Sequence, residues 1–201
     1  MHDVSGKMVL AINAGSSGIK FAAYHLGRPL IRMHAGLIDW GAHGRKRLEI
    51  DGIPIDPGMA ELSVDHANAN EVLVDWFARC IPDGQLAAIS HRLVYGHRNF
   101  RVPTEVDRSL LTALRNDAAG AVDHLPQQIE LIEKLQRCFP GALHLACFDS
   151  AFHSTMPDVA STLPIPRQLS AIGIQRFGFH GISCDYLLHA LSCSAGAQAW
   201  T

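Results

Sequence analysis

Phosphate oxygens are held well where backbone N–H groups, hydroxyls and a fixed positive charge line one concavity. The run Asn13-Ala14-Gly15-Ser16-Ser17-Gly18-Ile19-Lys20 offers that set. Gly15 and Gly18 permit close backbone approach, and Lys20 adds a charge just inside the next segment. It is not a Walker loop, because GxxxxGK[ST] is missing and the element that follows reads as a strand. An ordinary hairpin turn with solvated serines accounts for the same residues. A second stretch is Ser90-His91-Arg92-Leu93-Val94-Tyr95-Gly96-His97. Arg92 lies inside an apolar strand pattern, and a buried guanidinium is costly unless paired. Its partner is a ligand carboxylate or phosphate held by the guanidinium fork, or a structural carboxylate.

The third stretch is Phe148-Asp149-Ser150-Ala151-Phe152-His153-Ser154-Thr155-Met156-Pro157. Asp149 closes an apolar strand at its carboxyl end, where α/β folds place ligand chemistry. An Asx-turn or helix cap explains it equally well when read alone. In the fourth, Arg176-Phe177-Gly178-Phe179-His180-Gly181-Ile182-Ser183, His180 sits among glycines ahead of a helix. Its ring is expected to project from a tight turn beside that helix's positive end. A core histidine with satisfied hydrogen bonds is the other reading. Metal chemistry finds less support: twelve histidines are scattered without HExxH, and five cysteines make no CxxC. Those cysteines read as reduced thiols.

These stretches need a scaffold. Residues 8–14, 19–26 and 30–39 read as strands, and residues 46–55 carry Asp51-Gly52 between alternating apolar positions, a hairpin signal. The first 55 residues are thus an expected antiparallel meander. Ala69, Val72, Leu73, Trp76, Phe77 and Cys80 then fall at helical spacing, stopped by Pro82-Asp83-Gly84. A buried strand is expected over 86–95. Val106, Leu110, Leu111 and Leu114 mark a short helix. Another follows, carrying Ile129, Ile132, Leu135 and Cys138 with Pro126 in its first turn. Residues 142–148 form an apolar strand, residues 163–166 an extended connector, and residues 182–191 a last helix. Strands first, then helices alternating with strands, predicts an α/β fold with a mixed sheet flanked by helices.

Composition narrows the classes. Hydrophobic residues make 48% and charged residues 18%, which supports a packed core and excludes wholesale disorder. The net charge of −2 argues against a nucleic-acid or polybasic membrane surface. No apolar run approaches the roughly 20 residues of a membrane helix. The N-terminus lacks the apolar core of a signal peptide, so a cytoplasmic location is expected.

Taken in order, the four stretches resemble the acetate kinase family (acetate and propionate kinases). The "INAGSSSLKF"-like loop matches residues 12–21, the "HRVVHGG"-like strand residues 91–97, "FDTAFHQTMP" residues 148–157 and "YGFHGTSH" residues 177–184. The resemblance implies the actin-like ATPase (ribonuclease-H-like) fold, here as the N-terminal domain of a two-domain kinase. That domain is expected over residues 1–191, with an irregular tail over 192–201. It implies reversible transfer of the γ-phosphoryl group of ATP to acetate, giving acetyl phosphate and ADP. By matching position, Asn13 resembles the family's Mg²⁺-associated Asn. Gly15, Ser16 and Lys20 resemble its nucleotide-phosphate residues, and Arg92 its acyl-carboxylate Arg. Asp149 resembles the catalytic acid/base, His180 the transition-state stabiliser, and His124 the His of "LAPLHNP".

This sequence departs from the pattern at Gly18, where a third Ser usually sits, and at Tyr95, His97, Leu125 and Cys184. Length departs furthest. The resemblance leaves much of the nucleotide pocket and the main dimer surface in a half that lies beyond residue 201. Low turnover and no family-type homodimer are therefore expected of these residues alone. A non-catalytic carboxylate- or phosphate-binding module, or a non-functional fragment, are the alternatives. Acetate is already ionised at pH 7 and needs no base, so Asp149 is expected to position rather than shuttle protons. The kinase reading expects Asn13, Lys20, Arg92, Asp149 and His180 to meet at one polar hollow.

Overall fold

The computed structural model describes residues 6–15, 18–39, 47–51, 68–82, 84–94, 96, 100–118, 125–171, 176 and 178–195. The aliphatic run Met8–Ala14 forms β1, followed by β2 (Gly18–His25), β3 (Ile31–Asp39) and β4 (Arg47–Ile50). Each pairs antiparallel with the next, so the expected meander is observed. The Asp51 N–H bonds the Ala35 carbonyl at 2.7 Å where β4 ends. The return arm of the hairpin expected at Asp51-Gly52 lies outside the described residues.

Helix α1 spans Ala69–Cys80, with the boundaries that its apolar spacing predicts. It buries Val72, Leu73, Trp76 and Phe77 against the sheet residues Leu10, Ile12, Ile19 and Phe21. The Phe21 ring meets Trp76 at 5.3 Å and Phe77 edge-on at 4.9 Å. Strand β5 (Leu86–Leu93) then lies parallel to β1, which makes the sheet mixed. With β6 (Thr104–Glu105) and β7 (Leu143–Phe148), the strand order is β4-β3-β2-β1-β5-β7-β6.

Helices α2 (Arg108–Ala118) and α3 (Leu125–Cys138) come between β6 and β7. Asp107 opens α2 by accepting the Leu110 N–H at 2.7 Å. Val106, expected within that helix, instead precedes it and donates its N–H to the His144 carbonyl at 2.8 Å. Lys134 of α3 reaches Glu71 of α1 at 3.0 Å and Glu130 at 2.9 Å.

The chain divides into two compact units, residues 1–92 with 105–146, and residues 93–104 with 147–201. The sequence suggests a single domain over 1–191. The division arises because the segments after β7 pack on one another. That second unit holds a 3₁₀ helix (Asp149–Thr155), α4 (Asp158–Ser161), α5 (Arg167–Ala171) and α6 (Gly181–Ala195). The last helix runs beyond the expected end at Leu191. It reaches Ala195, and the Ser192 and Ser194 hydroxyls bond the carbonyls of His189 and Ala190 within it.

Phe77 is 1% exposed at the centre of the aromatic cluster. Phe77→Ala is expected to cost about 3–5 kcal/mol, measured as a shift in the urea unfolding midpoint at unchanged slope.

Candidate active site

Strand pairing places three of the expected residues in one row. Lys20 of β2 is the register partner of Asn13 on β1, and Asn13 is the register partner of Arg92 on β5. Paired residues project from the same face of a sheet, and neighbouring strands stand about 4.8 Å apart. Lys20, Asn13 and Arg92 thus cross three adjacent strands with the amide between two cations. Asn13 and Lys20 are exposed and Arg92 is half-buried. Arg92 Nη1 donates to Asn13 Oδ1 at 3.2 Å. The sequence predicts a buried guanidinium facing a carboxylate or phosphate. Alternation along β5 instead buries His91 and Leu93 and turns Arg92 to the other face, where a neutral amide is one of its partners.

Gly15 donates its N–H to the Gly18 carbonyl at 2.9 Å, so the glycines close the turn between β1 and β2. Ser16 and His124 lie outside the described residues. Gln128 escaped the sequence reading. It is 4% exposed on α3, and its side-chain amide donates to the Ala14 carbonyl, tying the helix to the end of β1. The signal was present: a polar residue within the apolar stripe Leu125, Gln128, Ile129 and Ile132 must find a partner.

Anions suit this row better than cations do. Asn13 Oδ1 already accepts from a guanidinium, and a second cation stands on its other side. Among the described residues no three His, Cys, Asp or Glu side chains could hold a metal ion together. These residues do not fit a Mg²⁺ ion at Asn13, which is where the resemblance would place one.

Asp149 and His180 belong to the second unit. Asp149 is 2% exposed and is the first residue of the 3₁₀ helix, directly after β7. His180 is exposed, which removes the core-histidine reading. It precedes α6 with φ at 57° and is the only non-glycine among the described residues with a positive φ. Its carbonyl accepts the Cys184 N–H at 3.0 Å, so it starts the helix. A Cβ at Gly181 would stand 1.9 Å from the Asp149 carbonyl oxygen, so that glycine is what lets the helix start meet the Asp149 backbone.

The acetokinase family model matches residues 8–197. The chain belongs to the acetokinase family. An acetate kinase of Rhodopseudomonas palustris (strain TIE-1) is 34% identical over 196 residues, which are 94% of this chain and 49% of that protein. One from Thermosynechococcus vestitus is 30% identical, covering 94% of this chain and 53% of that protein. The crystal structure of a propionate kinase from Francisella tularensis superposes with a TM-score of 0.77 at 26% identity, over 96% of this chain and 50% of the other. The chain therefore has the actin-like ATPase fold and spans about half the length of the curated relatives it matches.

Behind the row, strand β5 turns His91 inward. His91 and His144 of β7 are 3% and 5% exposed, with Nε2 of the first 3.1 Å from Nδ1 of the second and the rings stacked. His144 Nε2 faces the Phe139 carbonyl at 3.4 Å. A carbonyl only accepts, so His144 carries its proton on Nε2 and accepts from His91 Nε2–H through Nδ1. Burial pushes the His91 pKa from 6.5 to about 3, reinforced by His144, and burial lowers His144 too. The unfolded chain therefore takes up protons that the folded chain refuses. This contribution to stability is complete above about pH 6.5 and falls steadily towards about pH 3. Urea unfolding across that window is expected to show a loss on the order of a few kcal/mol, with a shallower dependence in His91→Gln.

Proposed function

We propose that this chain carries the carboxylate- and phosphate-binding residues of an acetate kinase reaction. In it the γ-phosphoryl group of ATP passes reversibly to acetate. The carboxylate oxygen attacks phosphorus, the bond to the β–γ bridging oxygen breaks, and acetyl phosphate and ADP result. No proton needs removing, because acetate is an anion at neutral pH. The difficulty is bringing two anions together and stabilising a loose, in-line transition state. Fixed cations and N–H donors answer that difficulty. The observation that carries the reading is the row Lys20–Asn13–Arg92, an amide between a lysine and an arginine in a chain of this family.

Each residue then has a role. The planar fork of Arg92 grips the carboxylate or the acyl phosphate made from it. Asn13 holds the guanidinium in plane. Lys20 neutralises phosphate charge. His180 offers an N–H donor to the equatorial oxygens of the transferring phosphoryl group. Asp149, buried beside the start of α6, positions its surroundings and transfers no proton. ATP is the second substrate, and both substrates are soluble metabolites of the kind met in the cytoplasm.

The row lies wholly within the first unit. Binding of carboxylates or phosphates without turnover is therefore a second reading, and one pair of measurements separates the two. Calorimetry with acetyl phosphate is expected to show binding that falls about 10–100-fold in Arg92→Ala, the loss of a charge-assisted hydrogen-bonded pair. Hydroxamate trapping from acetate and ATP reads turnover, and the kinase reading expects it to fall in His180→Ala and Asp149→Ala. Binding that depends on Arg92 without hydroxamate favours the binding module. Equal binding by wild type and Arg92→Ala overturns both.

A further inference from the structure

We infer that His153 is a positioning residue that sets the turn carrying His180. The turn holds an unfavourable conformation: His180 has φ near +57°, a left-handed backbone that non-glycine residues rarely adopt. Such a residue stays there only where its surroundings over-determine it. Here the 3₁₀ helix after β7 does so at three points. At one end, Gly178 lies flat on the His153 imidazole, so close that a Cβ there would stand 2.2 Å from its Cγ. At the other end, Gly181 lies on the Asp149 carbonyl and on Cβ of Phe152, which a Cβ would meet at 2.5 Å. Between them, His153 Nε2 lies 3.0 Å from the Phe179 carbonyl.

That acceptor decides the tautomer. A carbonyl oxygen cannot donate, so His153 Nε2 carries the hydrogen and donates it. The bond falls on the peptide that links Phe179 to His180, the peptide whose orientation sets the φ of His180. The ring of His153 is itself held edge-on by Phe152 at 5.1 Å. Two glycines thus admit the contacts, and one imidazole supplies both the packing surface and the hydrogen bond. His153 touches no reacting group in this scheme. It acts through the backbone of His180, and its effect on phosphoryl transfer rests on the role proposed above for His180.

The test uses the full chain and separates packing from hydrogen bonding. His153→Phe keeps a ring under Gly178 but removes the donor. His153→Gln restores a side-chain N–H. The first readout is the imidazole signal of His180 in ¹⁵N–¹H correlation spectra, assigned with His180→Gln. It is expected to shift or broaden in His153→Phe and to return towards the wild-type position in His153→Gln. The second is a double-mutant cycle read by thermal unfolding. Gly178→Ala is expected to lower Tm in the wild type and to cost much less in His153→Ala, where the ring it would strike is gone. In the hydroxamate assay kcat is expected to fall about 10–100-fold in His153→Phe, with KM for acetate unchanged. A folded His153→Phe whose His180 signal matches wild type overturns the inference, as does a Gly178→Ala penalty equal in both backgrounds. Should His153→Phe not fold, the cycle alone decides. If wild type shows no turnover while the spectra respond as expected, the inference stands and the kinase role of His180 fails.

Discussion

A guanidinium on a sheet strand keeps its charge, and something beside it must answer that charge. Here Asn13 does so across the parallel β1–β5 pair, at 3.2 Å from Arg92. The contact requires those strands to hold one register, because a slip of one residue would turn Arg92 to the opposite face. Several contacts of the first unit hold β1, the strand that carries Asn13, in its place. The turn through Gly15 and Gly18 fixes β2 against β1, α1 packs its aromatic face on Phe21, and Gln128 ties α3 to the end of β1.

The two faces of β5 solve opposite electrostatic problems. The open face sets Arg92 and Lys20 on either side of Asn13, two strands apart. The closed face holds His91 next to that charge in sequence, yet burial, reinforced by the neighbouring His144, keeps it neutral. A protonated His91 would be a charge held away from water, which is costly. The second unit stores a different cost. His180 takes a left-handed backbone, and flanking glycines admit the contacts that hold it there.

Much of this was legible in the residues. The spacing of Ala69, Val72, Leu73, Trp76 and Phe77 allows one helical face, and α1 has the predicted bounds. The aliphatic alternation of β1 and the Asp at the end of β7 were equally readable. Less was visible at the end of α6, which runs through Ser192 and Ser194 to Ala195, small polar residues whose composition leaves helix and coil both open. Gln128, His144 and His153 passed without a role because each acts on a group distant in sequence. His91 lies 53 residues from His144, and Gln128 lies 114 from Ala14.

The residue types that suit anion chemistry, their order along the chain and the strands and helices that carry them follow from sequence alone, because period and turn residues are local properties. Which of them meet was decided by tertiary structure. Register put Lys20, Asn13 and Arg92 in one row, and packing gave Arg92 an amide for a neighbour. The close approach of the 3₁₀ helix to the start of α6 set the backbone of His180. Those outcomes depend on contacts between segments that share no local pattern.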